Sequence, residues 1–497
     1  MAAMKVVVTS TDVIIPAVPT PTHLRRLNRS FLDQLTPQFY MPFIYFYRPP
    51  PTANTTATAA SVRQNIDSLK KSLSDILPIY YPLAGRATDP LFIDCNDAGV
   101  HFSESTVDIR LSDFIDNKIA DQLNLLLPFP DMGIVDDDRI LAIQANVFQC
   151  GGLALGICCS HKIADALSII TFVNSWANSS RGGGVTPAPP NFDAASIFPP
   201  QDMSKLLAIS KGDCDDPNQP GIEAPAERTA LKIVTKVVTF TGSALSHLRD
   251  KYTKPELRPS LIESISAFMW ILFLKFQENP PTREGTKYVV TQGVNLRVRA
   301  DPPMPDNLFG NISRFSLAFP EIDVEPEEIV YRLVSSMRNG IKKIDGDYVK
   351  RLQRGDMDLV VKEIGELIGG EVVPFGFSSL NRFPIYDADF GWGRPVWASS
   401  VHVPFKNVVG YFPTESGDGV EAWINLEEED MHKLEADQDF VYVCRFVLLS
   451  NIMSSHVSLF SSSSLSSFLA KYGRLAIFML LANFFHSSDV KGQQPNK

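Results

Sequence analysis

Apolar residues recur along this chain with two periods, one typical of helices and one typical of strands. In residues 61–77 they lie three or four positions apart, which predicts an amphipathic helix with one buried face. The run 39–47 is aromatic and β-prone, and the run 153–159 is almost entirely small or apolar, so both predict buried strands. Two apolar stripes along 166–177 predict a helix that is buried over most of its surface.

The second half of the chain resumes this alternation after a stretch of different composition. Residues 181–228 are rich in serine, glycine and proline and predict a crossover between two domains. Beyond it we predict strands at 230–240, 287–292, 313–319, 396–402, 408–412 and 419–425, and helices at 242–252, 259–277 and 326–344. The pattern indicates an α/β or α+β protein with domains at 1–180 and 229–440 and an atypical tail at 441–497.

Composition and charge narrow the class of protein. The chain has 497 residues, of which 44% are hydrophobic, and a net charge of -10, so it is a globular protein without the basic excess of a general nucleic-acid binder. Its six cysteines form no CxxC pair and predict free thiols, so we expect a cytoplasmic protein. The apolar run 475–485 in the tail is too short to span a bilayer, and we expect no stable membrane insertion.

The first candidate for chemistry is His161, which directly follows one buried strand and precedes a buried helix. A turn of this kind places a side chain at a sheet edge, where a ligand can reach it, and an imidazole accepts a proton near neutral pH. Together with Asp165 it forms an HxxxD pattern, which also occurs by chance, and taken alone the pattern favours a structural histidine. Asp165 itself is placed to cap the helix that follows.

Two further chemistries can be weighed for these residues. On a continuous helix His161 and Asp165 would share a face and could bind a metal ion, but no HExxH, third ligand or cysteine cluster accompanies them. We therefore expect no metal site. A serine hydrolase would need a nucleophile motif such as GxSxG, which the chain lacks.

A second motif favours a catalytic over a structural role for His161. It is Asp389-Phe390-Gly391-Trp392-Gly393, in which two glycines flank a tryptophan and indicate a tight turn. HxxxD in the first half, followed by DFGWG a domain's length later, resembles the BAHD family of plant acyl-CoA-dependent acyltransferases. Further stretches are similar to motifs of that family: Ser30–Gln34, Tyr81–Arg86, Asn295–Arg299 and Gly310-Asn311. The resemblance covers about residues 5–440.

This resemblance implies a fold and a mechanism. The fold would be two chloramphenicol-acetyltransferase-like domains with mixed sheets and a substrate channel between them. His161 would remove the proton from an acceptor hydroxyl as it attacks an acyl-CoA thioester, with no permanently bound cofactor and no covalent acyl-enzyme. Asp165 would be structural and paired with Arg297, or else with Arg299. The DFGWG residues would likewise hold the fold and take no part in the reaction.

The resemblance also implies a contact for the acyl donor. Relatives place a serine or threonine ahead of the helix that here spans 262–274, often followed by arginine. Ser260 is the matching candidate for binding coenzyme A, although leucine follows it in this chain.

Other positions indicate a branch of the family. The alanine after Asp165 and the run Gly419–Trp423 resemble the branch that acetylates alkaloids, terpenoids and volatile alcohols, which favours acetyl-CoA as the donor. In Ser378–Phe383, Leu380 and Asn381 replace the tryptophan and cysteine of that branch. We expect the choice of acceptor to differ if this run lines the acceptor pocket.

The combined prediction is an acetyl-CoA-dependent O-acyltransferase that acts on a hydroxyl of a plant specialised metabolite. We expect a monomer whose partners are the small-molecule acceptor alcohol and acyl-CoA. Three alternatives stay open: an aromatic or longer acyl donor, an amine acceptor, and an inactive ligand-binding relative.

Overall fold

The computed structural model describes residues 4–36, 39–49, 59–117, 120–129, 138–182, 188–206, 232–276, 287–368, 372–401 and 405–444. The described residues up to Phe440 form one compact unit. The predicted crossover at 181–228 lies partly outside the described residues, and the predicted tail at 441–497 lies almost wholly outside them. No helix in the described ranges is long and apolar enough to cross a membrane.

The first sheet is built mostly from the first half of the chain. Its strands are β1 (Val6–Ile14), β3 (Tyr40–Tyr47), β5 (Val100–Val107), β6 (Leu141–Phe148), β7 (Leu153–Ser160) and β12 (Trp397–Ser399). They lie in the order β1-β5-β6-β7-β3-β12. Every residue of β3 and β7 is buried, as their unbroken apolar sequences predict for strands covered on both faces. A separate ribbon pairs β2 (Arg26–Asn28) with β4 (Phe92–Asp94).

The first half of the chain also contributes helices. They are α1 (Phe31–Gln34), α2 (Ala59–Ile76), α3 (Leu111–Asn117), α4 (Ala120–Leu123), α5 (Ala166–Ser180) and α6 (Ala194–Ile197). Helices α2 and α5 pack against each other, and the indole Nε1 of Trp176 on α5 donates to the hydroxyl of Ser72 on α2 over 3.1 Å. Helix α5 directly follows β7, so the buried centre of the sheet sets the position of its first residues.

The second sheet belongs to the second half of the chain. Its strands are β8 (Ile233–Phe240), β9 (Lys287–Asn295), β10 (Ser313–Ala318), β11 (Val372–Ser379), β13 (Val408–Pro413) and β14 (Val420–Glu427), in the order β10-β9-β11-β13-β14-β8. The accompanying helices are α7 (Gly242–Tyr252), α8 (Leu261–Phe276), α9 (Pro326–Lys342), α10 (Gly346–Gln353), α11 (Met357–Ile368) and α12 (Glu428–Ala436). Both sheets contain parallel and antiparallel pairs, which confirms the predicted α/β fold with mixed sheets.

One strand crosses from the second half into the first sheet. Strand β12 pairs antiparallel with β3, and the ring of Trp397 stacks on that of Phe46 with 4.8 Å between centroids. The indole Nε1 of Trp397 also donates to Oε2 of Glu421 on β14 over 2.7 Å. Trp397 therefore contacts both sheets at once. The division into domains at 1–180 and 229–440 stays a prediction.

Several elements were not predicted from the sequence. Strand β1 is an edge strand in which no residue is buried, so its apolar and polar residues follow no period of two. Helices α10, α11 and α12 span only two or three turns each, which gives too few repeats for a clear helical period.

Candidate active site

His161 lies at the turn that joins β7 to α5. Its backbone N–H donates to the carbonyl oxygen of Phe39 over 2.9 Å, and its ring meets the Phe39 ring edge-on with 5.0 Å between centroids. The ring nitrogen Nδ1 lies 2.9 Å from the carbonyl oxygen of Ala164. The turn therefore fixes this histidine through its backbone, its ring packing and one ring nitrogen.

The hydrogen bond between His161 and Ala164 decides which ring nitrogen can take a proton. A carbonyl oxygen only accepts, so Nδ1 carries the hydrogen and the lone pair is on Nε2. Burial of the ring lowers the pKa of His161 below its ordinary value of 6.5, against the opposing effect of the Asp165 carboxylate. The imidazole is neutral at neutral pH, which is the state that a general base needs.

Asp165 and Arg297 form a buried ion pair at the start of α5. Nη1 of Arg297 is 2.7 Å from Oδ2 of Asp165, and Nη2 is 3.3 Å from Oδ1. Oδ1 also accepts from the backbone N–H of Ser168 over 2.9 Å, so Asp165 is the N-cap residue of α5. Arg297 donates twice more to the carbonyl oxygen of Leu308, at 3.1 and 2.7 Å. The structure thus pairs the motif aspartate with Arg297.

A three-residue segment of the second half, Gly310–Ile312, holds both ends of the HxxxD turn. The carbonyl oxygen of Gly310 accepts from the N–H of Asp165 over 3.2 Å, and the N–H of Ile312 donates to its Oδ2 over 3.1 Å. Between these contacts, Nδ2 of Asn311 donates to the carbonyl oxygen of His161 over 2.8 Å. The position of His161 therefore depends on a segment far away in the sequence.

Asn311 is held in turn by Asp33 of helix α1. Oδ1 of Asp33 accepts from the N–H and from Nδ2 of Asn311, over 3.1 and 2.8 Å. Its Oδ2 accepts from the N–H and the hydroxyl of Ser30, over 2.8 and 2.7 Å, in the capping box that begins α1. The sequence identifies both stretches only through the family resemblance, and no local pattern in it predicts that Asp33 and Asn311 help to hold the histidine.

A cavity of about 190 Å³ lies beside these residues and is lined from both halves of the chain. Its lining consists of His161, Asp165 and Arg297, with Leu32, Leu35, Thr36, Met41, Ala166, Leu167, Gly293, Val294, Asn295, Ser313, Arg314, Phe315, Ser378, Ser379, Leu380 and Phe383. Most of these side chains are apolar or carry an uncharged hydroxyl. The run predicted to alter the acceptor, Ser378–Phe383, supplies four of them.

Ser260, the predicted contact for coenzyme A, lies directly before α8. Its hydroxyl accepts from the N–H of Glu263 over 3.2 Å, and its own N–H donates to Oε2 of Glu263 over 2.7 Å. These two bonds make a capping box, for which the sequence Ser-x-x-Glu is a local signal. Ser260 is exposed and does not line the His161 cavity. Its contact with coenzyme A stays a prediction.

The DFGWG motif forms a turn against the opposite end of α5. Oδ1 of Asp389 accepts from the N–H groups of Gly391 and Gly393, over 2.8 and 3.0 Å. Both glycines have positive φ, +107° and +110°, which a residue with a Cβ rarely adopts. The ring of Phe390 packs edge-on against Trp176 of α5, with 4.8 Å between centroids. No residue of the motif lines the His161 cavity.

Other described parts of the protein lack the features of the His161 cavity that suit general-base catalysis. A larger cleft of about 710 Å³ beside β9 has Lys287, Tyr288 and Glu321 in its lining but no histidine. Within the described ranges, no group of three or more His, Cys, Asp or Glu side chains is arranged to hold a metal ion. His161 and its cavity are therefore the candidate active site.

Comparisons with known proteins agree over nearly the whole described chain. The model of the family described as Transferase family matches residues 4–441. Limonoid 21-O-acetyltransferase of Melia azedarach is 34% identical over 446 residues, which cover 88% of this chain and 98% of the relative. Stemmadenine O-acetyltransferase of Catharanthus roseus is 34% identical over 441 residues, which cover 86% and 96%.

The same likeness extends to three-dimensional structure. Vinorine synthase of Rauvolfia serpentina is 35% identical in sequence over 436 residues, which cover 86% of this chain and 96% of the relative. Its crystal structure matches the present one with a TM-score of 0.71 at 32% identity, over 88% of this chain and 98% of that chain. The two-sheet architecture is therefore shared with a relative of known structure.

Proposed function

Since the chain belongs to the BAHD family of acyltransferases, we propose that it transfers an acetyl group from acetyl-CoA to a hydroxyl of a plant specialised metabolite, with His161 as general base. Enzymes of this family draw the acyl group from an acyl-CoA co-substrate. Limonoid 21-O-acetyltransferase and stemmadenine O-acetyltransferase are relatives whose names state O-acetylation. The observation that carries the proposal is the fixed, neutral imidazole of His161 in the lining of a cavity built from both halves.

The reaction follows from the tautomer of His161. Nε2 accepts the proton of the acceptor hydroxyl as the oxygen attacks the carbonyl carbon of the thioester, and a C–O bond forms. The resulting tetrahedral oxyanion collapses when the C–S bond breaks. The sulfur of coenzyme A leaves with the electron pair of that bond and takes the proton from the imidazolium. Protons and electrons balance without a metal ion or a covalent enzyme intermediate.

Asp165 supports this reaction without taking a proton. Its two oxygens are occupied by Arg297, by the N–H of Ser168 and by the N–H of Ile312. A carboxylate held in this way caps α5 and fixes the turn that carries His161. We propose that Arg297 acts in the same positioning role.

The size of the cavity favours a small acyl group. Its volume of about 190 Å³ is below the roughly 300–1,000 Å³ of sites that enclose a drug-sized ligand. An acetyl group and the reacting end of an alcohol fit such a space better than a benzoyl or hydroxycinnamoyl group does. Competition between acetyl-CoA and benzoyl-CoA for one acceptor should give mainly the acetyl ester. Mainly benzoyl ester would count against acetyl-CoA and leave the reaction type standing.

The test of the general base is a histidine exchange with a matched control. In His161→Ala, release of free thiol from acetyl-CoA in the presence of polycyclic alcohols should fall to background, with an unchanged circular dichroism spectrum. His432→Ala removes an exposed histidine on α12 and should leave turnover unchanged. Full turnover by folded His161→Ala would refute the role of His161. A wild-type protein that is silent with every donor and alcohol would refute the function itself.

Two further properties belong to the proposal. We propose that the protein acts as a cytoplasmic monomer. Light scattering during size-exclusion chromatography should give the mass of one chain, 55.1 kDa, and a mass of twice that value would contradict the monomer. A fluorescent fusion that accumulated in an organelle or at a membrane would contradict the cytoplasmic location.

A further inference from the structure

The charges around the His161 cavity bear on the kind of acceptor that it can hold. Four of the described lining residues carry ionisable side chains: His161, Asp165, Arg297 and Arg314. Asp165 is the only carboxylate among them. A carboxylate with a free oxygen is the strongest partner that a protein can offer to an acceptor with a protonated amine, so the state of each nearby carboxylate bears directly on the question.

The Asp165 carboxylate has no lone pair left to accept a further hydrogen bond. Oδ1 accepts from the N–H of Ser168 over 2.9 Å and from Nη2 of Arg297 over 3.3 Å. Oδ2 accepts from Nη1 of Arg297 over 2.7 Å and from the N–H of Ile312 over 3.1 Å. A carboxylate has about four lone-pair sites, and these four bonds fill them. Its charge is also balanced by a guanidinium that is fully buried.

The charge of Arg314 is balanced from outside the cavity. Its partner Glu363 lies in the lining of a neighbouring cleft, with Oε2 at 2.6 Å from Nη2 of Arg314. The other oxygen, Oε1, accepts from the hydroxyl of Tyr348 over 2.8 Å. The cavity therefore has the arginine of this pair in its wall and not the glutamate.

The carboxylate of Asp33 is occupied as well. Both of its oxygens accept two hydrogen bonds each, from Ser30 and from Asn311, and it does not line the cavity. The uncharged hydroxyls of Thr36, Ser378 and Ser379 are in the lining, and they can bond an alcohol or a carbonyl.

We infer that the acceptor is an uncharged alcohol, and that an alcohol bearing a protonated amine is rejected. The inference rests on the proposed function and narrows its substrate class. A cation that enters this cavity loses water and meets Arg314, and no described carboxylate in the lining has a site left for it. A neutral alcohol avoids both costs, and the apolar and hydroxyl side chains suit it.

Two alcohols of nearly the same cage shape test this inference. Bicyclo[2.2.2]octan-2-ol is neutral, whereas quinuclidin-3-ol has a nitrogen at a bridgehead and is protonated at pH 7.5. Calorimetric titration of each into the full-length protein saturated with coenzyme A measures affinity without turnover. The neutral alcohol should bind at least about tenfold more tightly, because burying a charge without a partner lowers the affinity by about tenfold or more. Equal affinity, tighter binding of the cation, or binding of neither would overturn the inference.

A pair of variants tests the electrostatic cause. Ser379→Asp adds a carboxylate to the lining, and Ser379→Asn adds an amide of nearly the same shape. Affinity for quinuclidin-3-ol should rise at least about threefold in Ser379→Asp relative to Ser379→Asn, while affinity for the neutral alcohol does not rise. No difference between the two variants would show that charge does not set the preference, and would overturn the inference.

These measurements separate the inference from the proposed function. Preferential binding of the neutral alcohol without thiol release from acetyl-CoA would contradict acetyl transfer and leave the charge preference standing. Acetyl transfer to both alcohols with equal kcat/KM would contradict the charge preference and leave the transferase activity standing.

Discussion

The two ends of helix α5 are held by different means, although the second half of the chain holds both. At the near end, which begins at Asp165, a buried ion pair and backbone hydrogen bonds join Arg297 and Gly310–Ile312 to the helix. At the far end, which finishes at Arg181, the DFGWG turn packs Phe390 against Trp176. Each end also has an arginine–aspartate pair, and the two pairs differ most in exposure.

The near end of α5 is held by buried, directional hydrogen bonds, whereas the far end is held mainly by apolar ring packing. The side chains of Arg297 and Asp165 are 0% and 8% exposed, whereas those of Arg181 and Asp389 are 41% and 25% exposed. The hydrogen bonds at the near end depend on distance and direction, so they fix the position of the turn that carries His161. Ring contacts at the far end bury apolar surface, which stabilises the helix without aligning any group for the reaction. Changes at the near end should therefore affect both rate and stability.

The largest effect should come from Asp165→Asn. The change leaves the guanidinium of Arg297 buried without a counter-charge, and the loss of one partner of a buried pair costs about 3–5 kcal/mol. Urea unfolding should show this loss, and kcat should fall with it. The double variant Asp165→Asn with Arg297→Met should recover part of the stability. A single variant that unfolds at the wild-type urea concentration would contradict the near-end role.

The next effect should come from Asn311→Ala, for which Asn174→Ala is a matched control. Nδ2 of Asn311 donates to the His161 carbonyl at the near end, whereas Nδ2 of Asn174, in the middle of α5, donates to the Pro384 carbonyl. Asn311→Ala should cost about 1–3 kcal/mol and lower kcat more than it changes KM for acetyl-CoA. Asn174→Ala should leave kcat unchanged. Equal changes of kcat in Asn311→Ala and Asn174→Ala would show that the hydrogen bond at the near end of α5 has no special role in catalysis.

The pH profile sharpens the comparison. The pKa of His161 lies below 6.5, and the neutral imidazole is the active form, so the acid limb of kcat/KM should have its midpoint below pH 6.5. Activity should fall about tenfold for each further pH unit as the ring takes a proton. Asp165→Asn should move the midpoint lower still, because it removes the charge that opposes the effect of burial. A wild-type midpoint above pH 6.5 would contradict the neutral, buried base.

The smallest effect should come from Arg181→Ala. This change removes the ion pair with Asp389 at 3.5 Å, which is partly exposed and screened by water. Its loss should cost at most about 1 kcal/mol in urea unfolding, and the pH profile should keep its midpoint. A loss as large as that of Asp165→Asn would mean that exposure does not distinguish the two ends.

Sequence periodicity predicted the parts of the site that are local. The strand before His161 and the helix after Asp165 are both buried, and their apolar patterns are correspondingly strong. The cap at Asp165 could also be predicted, since a carboxylate before a helix is a local feature. The alternation of strands and helices predicted an α/β or α+β class, and the family resemblance implied the mixed sheets. The structure confirms the α/β class and the mixed sheets.

Contacts over long sequence distances could not be worked out from periodicity. The contact between Arg297 and Asp165 joins residues 132 positions apart, and only the family resemblance pointed to it. Asn311 and His161 are 150 positions apart, and neither has a local pattern that reports the hydrogen bond between them. Conversely, the sequence Ser-x-x-Glu at Ser260 is a local signal for a capping box, and the structure has the hydrogen bonds of that box between Ser260 and Glu263.

Strand β12 has a consequence for the way the protein is made. It pairs with residues 44–46 of β3, but the ribosome adds Trp397–Ser399 only after the other five strands of that sheet have emerged. Until then the corresponding edge of β3, in an aromatic and wholly buried strand, lacks its native neighbour. Such an edge pairs readily with other chains, so nascent polypeptides that end between 180 and 396 should recruit chaperones. The first sheet is thus begun early in translation and closed close to its end.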